Sequence, residues 1–198
     1  MISHSRLDHW LPRPAIRSHH RRVAATDADE LWRAALGVRL SDTRALGRLI
    51  RWRIPGTAAD LSFGELFRAY PFTVLEEDTH LRVSGLCGRI WTLARDYPSL
   101  EGGDVFRNWH EAGTVRVAFA HWIAPCPDGG SELASEARVQ PVDRAAALRL
   151  RALWKVVGPF DRLVGAEALT AAVRQAEGSR ARETAPPAQG RRAARPRR

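Results

Sequence analysis

The chain has 198 residues, 44% of them hydrophobic, and a formal net charge of +9. That size suits one domain with a sizeable core and leaves two cramped. Seven Arg against one Glu lie in residues 179–198 and five Arg against one Asp in residues 1–22, so the middle is close to neutral, which argues against a basic nucleic-acid groove within the domain.

Residues 1 to 17 carry Pro12 and Pro14 without periodicity and read as a loose arm. His4, His9, His19 and His20 are scattered there without carboxylates beside them, so they read as solvated rather than metal-binding. A short strand is expected from His19 to Ala25. Thr26 or Asp27 then caps a helix whose buried stripe is Ala28, Leu31, Trp32, Ala35 and Leu36, ended by Gly37. Ser41 and Asp42 cap a second, shorter helix through Leu46, Leu49 and Ile50, stopped by Pro55-Gly56; its Arg44, Arg48 and Arg51 read as a solvated face. A helical turn is expected between Phe63 and Ala69.

From Phe72 the period falls toward two. Phe72 to Glu76 and Leu81 to Leu86 flank the polar turn Glu77-Asp78-Thr79 and predict a hairpin. Gly85 and Gly88 around Cys87 mark a place where the strand bends around another group. A long strand from Thr114 to Ala124 puts Val115, Val117, Phe119, His121 and Ile123 on one face. Its return, Glu132 to Val139, puts Leu133, Ser135, Ala137 and Val139 on one face and Glu132, Glu136 and Arg138 on the other, read as a solvated face with a structural salt bridge.

Asp143 opens a long amphipathic helix to Glu177, with Ala146, Leu150, Leu153, Val157, Phe160, Val164, Ala168 and Ala171 at steps of three and four. Gly158-Pro159 predicts a kink or break near Val157. The Arg-rich tail beyond it has almost no large apolar residues and is expected to be disordered. The expected units are therefore an arm over 1–18, a domain over 19–177 and a tail over 178–198.

The order of elements predicts an α+β architecture, a curved antiparallel sheet wrapped around a long C-terminal helix with two short helices after the first strand, and that order resembles the helix-grip fold. A bent sheet around a helix leaves an apolar cavity between them. Four segments carry a resemblance: Ala24-Ala25-Thr26-Asp27-Ala28-Asp29-Glu30-Leu31-Trp32, Gly85-Leu86-Cys87-Gly88-Arg89-Ile90-Trp91, Ser135-Glu136-Ala137-Arg138-Val139 running into Asp143, and Leu153-Trp154. With the element order, they resemble the START and birch-pollen-allergen-like superfamily, also called SRPBCC or polyketide cyclase/dehydrase-like proteins, and within it a bacterial branch. The resemblance implies a cavity for a lipid-like, polyketide-like or other small apolar molecule. That superfamily holds transport proteins, receptors, cyclases and members of unknown role, so fold alone leaves the activity open.

The first expectation is binding of such a molecule, on a wall of Val115, Val117, Phe119, Leu133 and Ser135 from the strands and Leu153, Trp154 and Val157 from the helix. Arg89, Trp91 and Trp109 are placed at its mouth, where an arginine fixes a carboxylate and indoles supply flat walls. The alternative is a cyclase or dehydratase using His121 or His110 as acid or base, set against a bland histidine bonded to backbone or water. A third is nucleic-acid or partner binding through the arginine tail.

Cys87 and Cys126 lie outside any CxxC or CxxH pattern, so neither a disulfide framework nor a zinc site is expected. No serine elbow, phosphate loop or dinucleotide fingerprint is present, and no cofactor is expected. Without a signal peptide or an 18-residue apolar run, the expected setting is cytoplasmic, without membrane insertion.

Overall fold

In a computed structural model, residues 3–92, 97–127 and 129–184 are described. The elements run α1 (Ser3–Trp10), β1 (Ile16–Ala24), α2 (Ala28–Gly37), α3 (Ala45–Arg53), α4 (Phe63–Leu66), β2 (Thr73–Asp78), β3 (Leu81–Gly88), α5 (Gly103–Arg107), β4 (Val115–Pro125), β5 (Ser131–Pro141), α6 (Arg144–Val157) and α7 (Asp161–Thr184). The five strands form one antiparallel sheet in the order β1-β5-β4-β3-β2. It curves around the C-terminal helical arm, with α2 and α3 following the first strand: a helix-grip arrangement.

Local chemistry explains the helix starts. The Asp27 carboxylate accepts from the Glu30 amide at 2.8 Å and caps α2, and Ser62 and Glu65 cap each other's backbone at α4. Asp143 caps α6 through the Ala146 amide at 2.7 Å. The second expected helix begins differently. Ser41 and Asp42 lie in a separate 3-10 turn, Leu40–Asp42. The cap of α3 comes instead from Glu167 on α7, whose carboxylate accepts from the amides of Arg44, Ala45 and Leu46. A carboxylate at a helix start satisfies orphan donors and favours the dipole, so α3 is seated by a residue 121 positions away.

The predicted break at Gly158-Pro159 is present as a 3-10 turn, Gly158–Phe160, dividing the arm into α6 and α7. Proline has no amide hydrogen for the α ladder. Three residues at about 120° each instead of about 100° rotate the helix face by about 60°. Accordingly Ala146 and Leu150 are buried as spacing predicts, whereas in α7 the buried residues are Leu169, Ala172 and Ala176, with Ala168 and Ala171 half-buried. The helix also continues to Thr184, past the expected end at Glu177; the disorder expected for residues 185–198 concerns residues outside those described.

Two sequence expectations are corrected on the other face of the sheet. The stretch expected as a loose arm contains α1, and Leu7, Trp10 and Leu11 are buried against Val83, Phe106, Ala118 and Ala120. Prolines 12 and 14 do not prevent this, because they follow the helix and lead into β1. The Glu136–Arg138 pair, expected in solvent, is covered by this helix: Glu136 is 0% and Arg138 2% exposed. Arg138 Nε lies 2.6 Å from Glu136, its Nη1 donates to Asp8 of α1 and to the Leu11 carbonyl, and Arg17 reaches Glu136 at 2.8 Å. Sequence alternation gives opposite faces but does not say that both are buried.

The close approach expected at the glycines of β3 is present at Gly85. A Cβ on Gly85 would lie 2.7 Å from both Leu75 and the Phe106 ring, so glycine lets α5 press its aromatic ring onto the strand.

Candidate functional site

The concave face of the sheet, α2, α3, α4 and the C-terminal arm line a partly open cavity of about 410 Å³. Most of its wall is apolar: Val117 and Phe119 of β4, Leu133, Ala137 and Val139 of β5, and Phe67 and Phe72 beside them. Helix α7 faces it with mostly small residues, Gly165, Ala168 and Ala172 beside Leu169. Short side chains on the facing helix leave the space that larger ones would fill. The polar groups on the wall include Ser18, His20, Arg82, His121 and Ser135.

His121 is the polar group most changed by its surroundings. Its ring packs against Phe67, with centroids 4.6 Å apart, and its Nε2 is enclosed with no hydrogen-bond partner among the described residues. The residue keeps some accessible surface because the ring borders the cavity, while Nε2 itself does not. Desolvation, followed by the nearby Arg82 charge, pushes its pKa down to about 4, so the imidazole is neutral near pH 7. Arg82 itself is 4% exposed and fully engaged, donating to Glu77 at 2.6 and 3.0 Å and to the Gly64 carbonyl at 3.1 Å. Bonds from Arg68 and then Arg82 hold the Glu77 carboxyl below its usual range.

Of the residues singled out from sequence, His121, Val117, Phe119, Leu133, Ser135, Trp154 and Val157 border the cavity. Val115 and Leu153 do not. Val115 lies in a filled cluster with Leu86, Val139 and Leu150, where α6 sits directly on the sheet. The three residues placed at the mouth are elsewhere, and this corrects that placement. β3 ends at Gly88, with φ 138°, so Arg89 and Trp91 leave the sheet: Arg89 reaches Glu111 at 3.5 Å and Trp91 lies under the Arg149 guanidinium. Trp109 follows α5 on the convex side, with its indole donating to Thr114 at 2.9 Å. His110 is exposed and bonds the Asn108 carbonyl at 2.9 Å, so it is not brought together with His121.

Sequence reasoning missed His20, Ser18 and Arg82. The sequence places His20 among the solvated histidines of the arm, but β1 starts at Ile16 and carries it onto the concave face. Its ring lies against the α7 backbone, where a Cβ on Gly165 would come within 2.1 Å of Nε2. The usable signal was alternation within β1 and β3; the missing information was strand register.

Cys87, in the convex core, has its thiol pKa pushed up to about 12 by burial and is no nucleophile there. No group of three or more His, Cys, Asp or Glu able to hold a metal occurs among the described residues, and none of their helices is long and apolar enough to cross a membrane.

No family model matches the chain, and no curated protein does. Solved structures do. The hypothetical protein jhp0584 from Helicobacter pylori aligns over 87% of this chain and 92% of its own at 8% identity, with a TM-score of 0.35. Zhui aromatase/cyclase from Streptomyces sp. R1128 aligns over 82% and 93% at 15% identity, TM-score 0.31. Ara h 8.0201 aligns over 82% and 98% at 11%, TM-score 0.28. Likeness of this size carries no argument about activity; the fold description stands on strand order and helix placement.

Proposed function

We propose that this chain binds a small hydrophobic molecule in the cavity between the concave sheet face and the C-terminal helical arm. One observation carries the reading: a space of about 410 Å³ with a wall that is apolar apart from a few polar side chains. Ligand sites commonly measure about 300–1,000 Å³ and combine such walls with a small number of placed polar groups. A hollow in a core forfeits packing energy, and a ligand that fills it restores those contacts.

The test is mass spectrometry of gently purified protein, native and then denatured. A stoichiometric apolar adduct that leaves on unfolding is the expected result. A bare mass, together with no uptake of added apolar probes such as naphthalene or anthracene, overturns the reading.

A cyclase or dehydratase is the second reading, favoured by His121 on the cavity wall. Among the described residues no carboxylate borders the cavity to work with it, so binding stands first. If the enzyme reading is right, His121→Ala retains ligand uptake and loses turnover of it.

A further inference from the structure

The middle of the chain is close to neutral, but its charge is unevenly spread. Residues 43–59, which hold α3 and the Pro55-Gly56 stop behind it, contain four Arg and no Asp or Glu. Residues 144–160, which hold α6 and the turn after it, contain three Arg and one Lys and again no carboxylate. Both segments border the cavity, the first through Leu49, Ile50 and Ile54 and the second through Trp154 and Val157. Two of the cavity's wall segments are thus purely basic.

Helix α3 carries two stripes. Leu46, Leu49 and Ile50 border the cavity, and Leu49 is also 37% exposed, so this helix forms part of the rim. Arg44, Arg48, Arg51 and Trp52, at steps of four, seven and eight from the first, make the outward stripe, and all four are exposed. Trp52 is 63% exposed, while the other six tryptophans are buried or half-buried. Among the described residues no ion pair holds these three arginine side chains. The Glu167 carboxylate at the start of the helix is taken up by the amides of Arg44, Ala45 and Leu46. On α6 the same combination recurs beside Val157, where Lys155 is exposed and Val156 is 69% exposed.

We infer that the α3 side of the cavity mouth docks on the surface of a bilayer carrying anionic phospholipid, and that the apolar ligand enters the cavity from there. The inference rests on the cavity being a ligand site, as proposed above. Free guanidinium groups bind lipid phosphates, and an indole beside them settles at headgroup level with its ring toward the chains. Such docking is peripheral, since α3 has only nine residues. A ligand suited to an apolar wall is sparingly soluble in water and concentrates in hydrocarbon, so a mouth held against a bilayer spares it the passage through water. Nucleic acid would attract the same arginines, but it offers no apolar medium to Leu49, Val156 or the cavity behind them.

The experiment is cosedimentation of the full chain with vesicles of phosphatidylcholine alone or with about 30% phosphatidylserine. Anthracene uptake in vesicle-free buffer is measured beside it to read the cavity separately. The expected result is binding at least about tenfold stronger to the phosphatidylserine vesicles, reduced at least about tenfold by Arg48→Gln with Arg51→Gln. Trp52→Ala is expected to weaken it about threefold or more. Neither variant alters a residue of the stripe that borders the cavity, so anthracene uptake in buffer stays at the parent level and shows that both are folded. Arg191→Gln with Arg192→Gln in the Arg-rich tail removes the same charge and is expected to cost less than about threefold. Equal losses from the tail pair and the α3 pair overturn the inference, as does the absence of vesicle binding; continued anthracene uptake then leaves the cavity reading standing. Tighter binding of a DNA duplex than of the vesicles, lost in the α3 pair, also overturns it and assigns the face to nucleic acid. Failure to take up anthracene in buffer removes the ligand site and the inference with it.

Discussion

The two faces of the sheet are both covered by helices, yet one is packed solid and the other hollow. On the convex side the helices bring large rings and the sheet makes room: Trp10 sits where a Cβ on Gly103 would lie 2.6 Å away, and Phe106 presses on Gly85. On the concave side α7 brings mostly small residues, Gly165, Ala168 and Ala172 beside Leu169, opposite Phe119 and Phe72 on the sheet side. Their charged groups differ in the same way. Glu136 and Arg138 satisfy each other under α1, whereas one residue away along the same strand Ser135 faces the unfilled space. Adjacent residues thus take opposite duties, one holding the fold and the other available to a ligand.

The largest expected difference follows from Arg138→Ala on the convex side. It takes from the buried Glu136 its closest partner, and is expected to cost about 3–5 kcal/mol in urea unfolding; replacing both partners, Glu136→Leu with Arg138→Met, should recover most of that loss. If the single change costs as little as the double, the pair is not the clamp described here. Next come matched insertions on the two faces. Ala118→Phe in the filled convex core should destabilise by about 3 kcal/mol, while Ala137→Phe on the cavity wall stays within about 1 kcal/mol of the parent and weakens apolar probe binding at least tenfold. Equal costs on both faces would mean that the concave side is not hollow in solution.

The pH dependence singles out the concave face. The His121 pKa lies near 4 when folded against an ordinary 6.5, so the unfolded chain takes up the proton first. Stability is then full above about pH 6.5 and falls as the pH drops toward about 4, by at most about 1.4 kcal/mol per pH unit from this group. A chemical-denaturation series from pH 7.5 to 4 should show that slope in the parent and a reduced one in His121→Phe. The smallest expected effect is that of Gly165→Ala. Its Cβ meets only the far end of the His20 ring, which can turn into the cavity, and alanine favours the helix, so thermal unfolding should move by less than about 1 kcal/mol while probe affinity changes. A large loss there would show that His20 is locked against α7.

Much of this was legible before any coordinates. The caps at Asp27 and Asp143, the Gly158-Pro159 break, the two hairpins and the alternation of β4 and β5 all depend on residues within a few positions of each other. Periodicity, turn chemistry and capping are local, and so are readable. Alternation also put His121 and Ser135 on the face that borders the cavity, since two residues per repeat need no knowledge of the partner strand.

What failed was whatever depended on a partner far along the chain. No local pattern tells that Glu167 caps α3 from α7, that α1 returns to cover Glu136 and Arg138, or that Trp109 belongs to the convex side. Strand register joins His20, Ser135, His121 and Arg82 from four strands into one row, and a shift of one residue in any strand would turn its member to the opposite face. The sequence by itself determined the elements, their order and the side of each strand a residue takes, because those follow from backbone geometry and near neighbours. Tertiary structure alone decided which face is filled, which is hollow and which polar groups meet there, because packing volume and register are properties of segments brought together from distant parts of the chain.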